Sequence, residues 1–286
     1  MRSTSPAFVL FVAAFILVSV PQAVRAVDPG AAERYNAGVA SLETKDFDKA
    51  LADFNQALTI APDYAEAHYG LGLAYLGKSD ADRALESFTA ATRAEPAHAK
   101  AQFNRGKILF EKGRTAEAVD AYAAAVSSNT DYTEAYFALG TAQKKLKKNA
   151  EALAAFDRAA QLNPRMPEAH YMKGSTLRAL SRLKEAAEAY KAALAVSPTY
   201  ALAHYWLAET YRELGQDTAA IEAYNAALRF DVRAFAKAYC KIGDILESQG
   251  DYQGAVEQYT KMPRYDQQFY TYAQEKIKYL QPKLKQ

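Results

Sequence analysis

Only one of the 286 residues, Cys240, is a cysteine, so no disulfide can close within the chain. Its thiol is either a small buried hydrophobe or an exposed group that pairs between two copies. Net charge is nearly absent as well, with 35 basic residues against 33 acidic ones. Residues 1–26 hold Arg2, Arg25 and no acid, and without them the two signs balance. Nucleic-acid and anionic-membrane binding both draw on a basic surface that neutralises phosphates, and neither partner is expected here. Valine and isoleucine are scarce beside alanine. Ala, Leu, Glu, Lys and Gln lose little side-chain freedom in a helix whereas β-branched residues lose more, so an all-α chain is expected.

Long apolar runs are lacking too, with one exception near the start. An uncharged stretch from Ala7 to Val20, bracketed by Pro6 and Pro21, precedes Val24-Arg25-Ala26, which places small residues where a signal peptidase reads. A membrane span needs about 20 apolar residues. A cleaved secretory signal peptide over residues 1–26 is therefore expected, with a periplasmic or secreted product and no membrane attachment after cleavage. The alternative is an uncleaved signal that anchors the chain.

The stretch H-Y-G-L-G-L-A-Y-L-G at residues 68–77 invites comparison with a dinucleotide-binding loop, but Tyr75 stands where the third glycine of G-x-G-x-x-G belongs and Ala65-Glu66-Ala67 forms no strand before it. Self-similarity explains it better. Gly72 has counterparts at Gly38, Gly106, Gly140, Gly174, Ala208 and Gly243, spaced by 34 residues except for one added residue before the last. The same register aligns Ala50, Ala84, Ala118, Ala152, Ala186, Ala220 and Ala255. Four residues on it aligns Phe54, Phe88, Tyr122, Phe156, Tyr190, Tyr224 and Tyr259, and Pro62, Pro96, Pro164 and Pro198 close their units.

This period and these positions resemble the tetratricopeptide repeat (TPR) family in seven tandem copies, a fold of paired amphipathic helices, A and B. The resemblance implies a right-handed α-solenoid with repeats at 31–64, 65–98, 99–132, 133–166, 167–200, 201–235 and 236–264, a short lead at 27–30 and a capping helix and tail at 265–286. Gly70 and Gly72 then lie inside a helix. Asp28 with Pro29 suits the start of the first A helix. Asp46, Asp80, Thr115, Asn149, Ser181, Asp217 and Asp251 sit where the B helices should begin, with side-chain oxygens suited to capping. The third unit lacks its proline, and the sixth has Val232 in that slot.

In the TPR family the A helices line a concave groove that meets peptides. Counting each unit from Ala31, position 5 supplies Tyr35, Tyr69, Phe103, Phe137, Tyr171 and Tyr205, which either pack the wall or touch the ligand. Position 12 supplies Leu42, Leu76 and Phe110, then Lys144, Arg178 and Arg212, a cationic stripe or merely a solvated face. The expected partner is a protein or peptide with apolar anchors and an acidic stretch. His68, His170 and His204 share position 4, but equivalent positions in adjacent repeats lie about 8 to 10 Å apart, too far for one metal. No cofactor is expected, and with no nucleophile elbow or Walker loop present, neither is an enzyme. The family's two-carboxylate clamp needs lysine and asparagine where Tyr35 and Val39 stand.

The function implied is a scaffold or adaptor holding a peptide segment of a partner during cell-envelope or secretion complex assembly. The alternative is a structural protein that self-associates through its repeat edges, favoured if Tyr265, Tyr270, Tyr272 and Tyr279 are left exposed. Cleavage after Ala26 predicts Val27 as the first residue of the exported product. N-terminal sequencing checks this, and Met1 retained on membrane-bound protein would overturn it.

Overall fold

The computed structural model describes residues 27–285; the expected signal peptide lies outside them. Sixteen α-helices and no strand occur among the described residues. They follow as hairpins: α1 (Pro29–Glu43) with α2 (Phe47–Ile60), α3 (Ala65–Gly77) with α4 (Ala81–Ala94), α5 (Ala99–Glu111) with α6 (Thr115–Ser128), and α7 (Thr133–Lys145) with α8 (Asn149–Leu162). The series continues through α9 (Pro167–Ala179) with α10 (Leu183–Val196), α11 (Ala201–Glu213) with α12 (Asp217–Phe230), and α14 (Ala238–Ser248) with α15 (Tyr252–Thr260). Contacts run within each hairpin and then to the next, the arrangement of an all-α repeat solenoid. The added residue of the sixth unit is taken up by a short helix, α13 (Val232–Phe235), whose Phe235 stacks on Tyr205 with ring centroids 5.2 Å apart.

Each hairpin closes through an aromatic ring laid on a helix backbone. Phe54, Phe88, Tyr122, Phe156, Tyr190, Tyr224 and Tyr259 of the B helices are all at most 3% exposed. Their rings abut the small residue of the A helix so closely that a Cβ added at Gly38 would lie 2.6 Å from Phe54 Cε1, and one at Gly140 2.9 Å from Phe156 Cδ1. Gly70 and Gly72 serve two rings at once. Phe54 of the preceding hairpin reaches the first and Phe88 of its own hairpin the second. The glycine-rich stretch thus lies inside α3, where two phenylalanines need bare backbone.

The B-helix caps differ from the sequence expectation at four sites. Asp46, Asp80 and Asp251 do accept from backbone N–H groups three residues on. The equivalent position in the other hairpins is Arg114, Lys148, Arg182 and Gln216, while Thr115, Asn149 and Asp217 are already the first helical residues. Ser181 lies one residue before the cap, in the left-handed turn. Arg114 and Arg182 instead reach into the first turn, each with two bonds to a carboxylate, Glu117 and Glu185. Asp28 caps α1 as expected, accepting from Gly30 and Ala31 N–H.

The prolines and position 4 act together. The Nε2–H of His68, His170 and His204 donates to the carbonyl of Pro62, Pro164 and Pro198 at 2.8, 3.0 and 2.9 Å. In the third repeat the Gln102 amide does the same to Pro96 at 3.3 Å. The histidines that share a register therefore tie each incoming loop to the A helix that follows.

Past α15, helix α16 (Gln267–Leu280) and a 3-10 turn (Gln281–Lys285) close the array. Ala273 and Leu280 are fully buried, in a cluster with Cys240, Ala255 and Tyr259. Cys240 is itself buried and burial, with Asp244 and Asp266 nearby, pushes its thiol up to about 12, an inert hydrophobe rather than an exposed thiol. The outward face of α16 carries exposed Thr271, Gln274, Glu275 and Lys278.

Every turn between A and B helices contains one residue with positive φ, and in four hairpins it is not glycine: Lys45, Ser79, Lys147 and Ser181, at φ 58 to 61°. This conformation costs an L-residue roughly 1 to 2 kcal/mol, a penalty glycine avoids at some cost in chain entropy. Lys147→Gly should therefore raise stability by about 0.5 to 1 kcal/mol, read from the denaturation midpoint. Gly113→Ala, at φ +77° with open space around it, should lower it by a similar amount.

Candidate functional site: the wall of A helices

Adjacent A helices lie side by side, and their cross-contacts join position 5, 9 or 12 of one to its neighbour. Tyr69 OH meets Asn104 Nδ2 at 3.3 Å, Lys144 Nζ donates to Ser175 Oγ at 2.5 Å, and Arg178 pairs with Glu213. These contacts place Tyr69, Lys144 and Arg178 on the side of their A helices that meets the neighbouring A helix.

The aromatics on the wall belong mainly to the fold. Each position-5 ring packs on the B-helix ring of its own hairpin: Tyr35 on Phe54 at 5.8 Å, Tyr69 on Phe88 at 5.5 Å, Phe103 on Tyr122 at 5.8 Å and Phe137 on Phe156 at 5.6 Å. Tyr171 on Tyr190 at 5.7 Å and Tyr205 on Tyr224 at 5.6 Å complete the series. Residues from the following loop cover several of them a second time, as Tyr64 does Tyr35 at 5.2 Å and Tyr132 does Phe103 at 4.9 Å. Five of the six remain half-buried with an edge open. Tyr205 is the exception at 4% exposure, enclosed by Tyr224, Phe235 and Trp206, and is withdrawn as a ligand contact.

The basic stripe is not three free cations. Arg178 lies over the Trp206 ring, 4.7 Å from its centroid, and pairs with Glu213. Arg212 pairs at 3.1 Å with Glu209, which is buried and also accepts from Tyr224 OH. Burial opposes ionisation of Glu209, but the Tyr224 hydroxyl and the Arg212 guanidinium outweigh it and hold the carboxyl below its ordinary range. Lys144 alone of the three has no carboxylate partner among the described residues. Partial burial lowers its pKa.

Sequence reasoning missed the acids that consume the arginines. Glu209 sits at position 9 and Glu213 at position 13, both on α11; Glu209 stands three residues before Arg212, a spacing the sequence itself carries, whereas the approach of Glu213 to Arg178 of α9 is visible only once the helices are juxtaposed. It also missed Asp244 and Glu247 on α14. There Tyr259 and Tyr272 donate to Asp244 at 2.8 and 2.6 Å, and Lys276 meets Glu247 at 2.7 Å, fastening α16 to the end of the wall. Among the described residues no cluster of histidine, cysteine and acidic side chains is placed to hold a metal, and no helix is long and apolar enough to cross a membrane.

A carboxyl with a depressed folded-state pKa adds stability above its unfolded pKa, near 4.3, and loses it as pH falls through the lower folded value. Glu209→Gln should lower stability by about 1 to 2 kcal/mol at neutral pH, as a hydrogen bond to a charged group is weakened. The gap from wild type should shrink below about pH 4 in melts taken across a pH series.

Three models of tetratricopeptide repeats match the chain: one at residues 69–133, one at 38–79, 174–215 and 208–250, and one at 133–166. No curated protein matches. Among solved structures, MamA is 24% identical over 57% of this chain and 96% of its own, with a TM-score of 0.55. YrrB, described as a TPR protein with an unusual peptide-binding site, is 24% identical over 63% of this chain and 93% of its own, TM-score 0.59. The C-terminal part of a TPR repeat-containing protein from Cytophaga hutchinsonii is 16% identical over 80% of this chain and 93% of its own, TM-score 0.66. At these identities the likeness is one of fold.

Proposed function

Since this chain belongs to the tetratricopeptide repeat family, a family of protein-interaction scaffolds, we propose that it is a non-catalytic adaptor whose A-helix wall holds a peptide segment of a partner. The observation that carries this is the contrast between the wall and the ends. Along the wall, Leu76 is 37% exposed, and Tyr35, Val39, Leu42, Leu73 and Phe110 keep part of their surface open. At the N-terminal end a polar side chain replaces a packing residue, and at the C-terminal end α16 turns Thr271, Gln274, Glu275 and Lys278 outward. Position 3 is a fully buried alanine in six repeats, among them Ala67, Ala101 and Ala135, but an exposed Glu33 in the first. An open apolar wall bounded by polar ends suits a partner lying along the helices.

The process served is cell-envelope or secretion complex assembly, a reading that rests on the signal-like stretch at residues 1–26 and places the mature chain in the periplasm or outside the cell. YrrB's peptide-binding site lends support to capture of a peptide by this architecture. Self-association is the second reading, favoured by Tyr265 and Tyr279, which are 59% and 57% exposed at the C-terminal end. The polar face of α16 beside them weighs against stacking.

A photo-crosslinking residue at Leu76, compared with one at the exposed B-helix position Glu151, tests the proposal in the native envelope. Crosslinks to a discrete foreign protein from Leu76 and not from Glu151 are expected. Equal labelling from both, or crosslinks only between copies of the chain, would overturn it. Light scattering of purified protein over a concentration series should show a monomer throughout.

A further inference from the structure

At Lys144, position 12 of one A helix meets position 9 of the next, Ser175, and the residues at position 12 change character along the wall. In the first two repeats position 12 is Leu42 and Leu76 and position 9 is Val39 and Leu73. From Arg178 onward each position-12 charge has its counter-charge: Arg178 with Glu213 of the next A helix, Arg212 with Glu209 of its own helix, and Glu247 with Lys276 of α16. Between these regimes stands Lys144, half-buried, with only the Ser175 hydroxyl as a hydrogen-bond partner among the described residues. Glu111 of α5, Glu134 at the start of its own helix and Glu168 of α9 make no ion pair with it. Two further cations make no ion pair among the described residues: Lys107 at position 9 of α5, over the Phe103 ring, and Lys145, whose ammonium lies 4.7 Å from the centroid of the Phe110 ring.

An ammonium that has lost part of its hydration and gained no counter-charge is unfavourable where it stands. Its other two N–H bonds have no partner among the described residues, while the Ser175 hydroxyl, which accepts from it, is also engaged with the Tyr190 hydroxyl. The ammonium therefore offers two donors to a single anionic oxygen pair. Resting on the peptide-groove reading above, we infer that Lys144, held in place by Ser175, seats an aspartate or glutamate side chain of the bound segment, with the segment's apolar residues lying toward Leu42, Leu73 and Leu76. The wall continues past Lys144 through three more A helices, leaving room for the segment to run on, which favours a side chain over a chain terminus. The acidic contact then fixes the register and direction of a segment held mainly by apolar area. It also revises the acidic stretch expected from the sequence to a single acidic position, since Arg178 and Arg212 are already matched.

A random 12-residue peptide library displayed on phage, selected on the full chain and on three variants, tests this. Thermal melts confirm that each variant is folded. Wild type should enrich segments in which one acidic residue adjoins large apolar residues, with the acid about threefold to fivefold above its frequency in the unselected library, as a partly solvated ion pair supports. Lys144→Met should lose the acidic enrichment and keep the apolar one. Ser175→Glu should do the same by supplying the missing carboxylate from within. Lys144→Glu should enrich lysine or arginine at that place instead. Apolar enrichment on wild type without an acidic bias, or an acidic bias unchanged in Lys144→Met, would overturn the inference while leaving the groove reading intact. No enrichment of any peptide would sink both.

Discussion

Everything in this molecule depends on one contact, repeated in each hairpin: a B-helix ring pressed onto the backbone of its A helix at a residue with almost no side chain. Phe54 over Gly38 and Phe156 over Gly140 are so close that a single added carbon would collide with the ring. Where the small residue is Ala208 the ring is Tyr224, still fully buried and anchored through its hydroxyl to Glu209. Burying a ring of this size supplies more apolar area than any other residue in the hairpin. It also sets the separation of the two helices, because the ring has no room to tilt.

The ring has a second face, and what covers it joins hairpin to wall. Tyr69 lies on Phe88 and Tyr171 on Tyr190, so each position-5 aromatic is partly core and partly surface. The loops add the next link, as Tyr132 and Tyr200 arrive over Phe103 and Tyr171 from the start of the following repeat. The His204 bond to Pro198 holds the loop that carries Tyr200, and the His170 bond to Pro164 holds the loop one repeat earlier. Coupling therefore passes from neighbour to neighbour, and stability is shared along the array rather than collected in one centre. The two ends, lacking neighbours, are closed by polar side chains on α1 and by α16 with its Asp244 and Glu247 ties.

The hairpins were legible because their signals recur: a 34-residue period repeats each small residue, alanine and ring until the register admits no other reading. Caps were less legible. Where the turn is Gly113-Arg114-Thr115, a polar residue that could cap stands one place beyond the cap itself, and composition cannot tell which residue takes the left-handed turn before it. The wall was least legible. A helical wheel gives the direction in which Arg178 points, but not that Glu213 of another helix reaches it, nor that Trp206 lies beneath it. The sequence pattern shows three cations in one register, and the structure leaves one of them unmatched.

That outcome follows from which positions are free to vary. Positions 5 and 8 are tied to the ring contact, so they repeat with little change from Tyr35 to Tyr205 and from Gly38 to Gly174. Positions 9 and 12 face the open side and answer to no such constraint, and they drift from leucines at one end to buried and paired charges at the other. A solenoid built this way can alter what its wall recognises without disturbing how its hairpins close, provided each new charge is matched within the wall or by its ligand. Lys144 is the position-12 cation for which the first of these conditions is not met among the described residues.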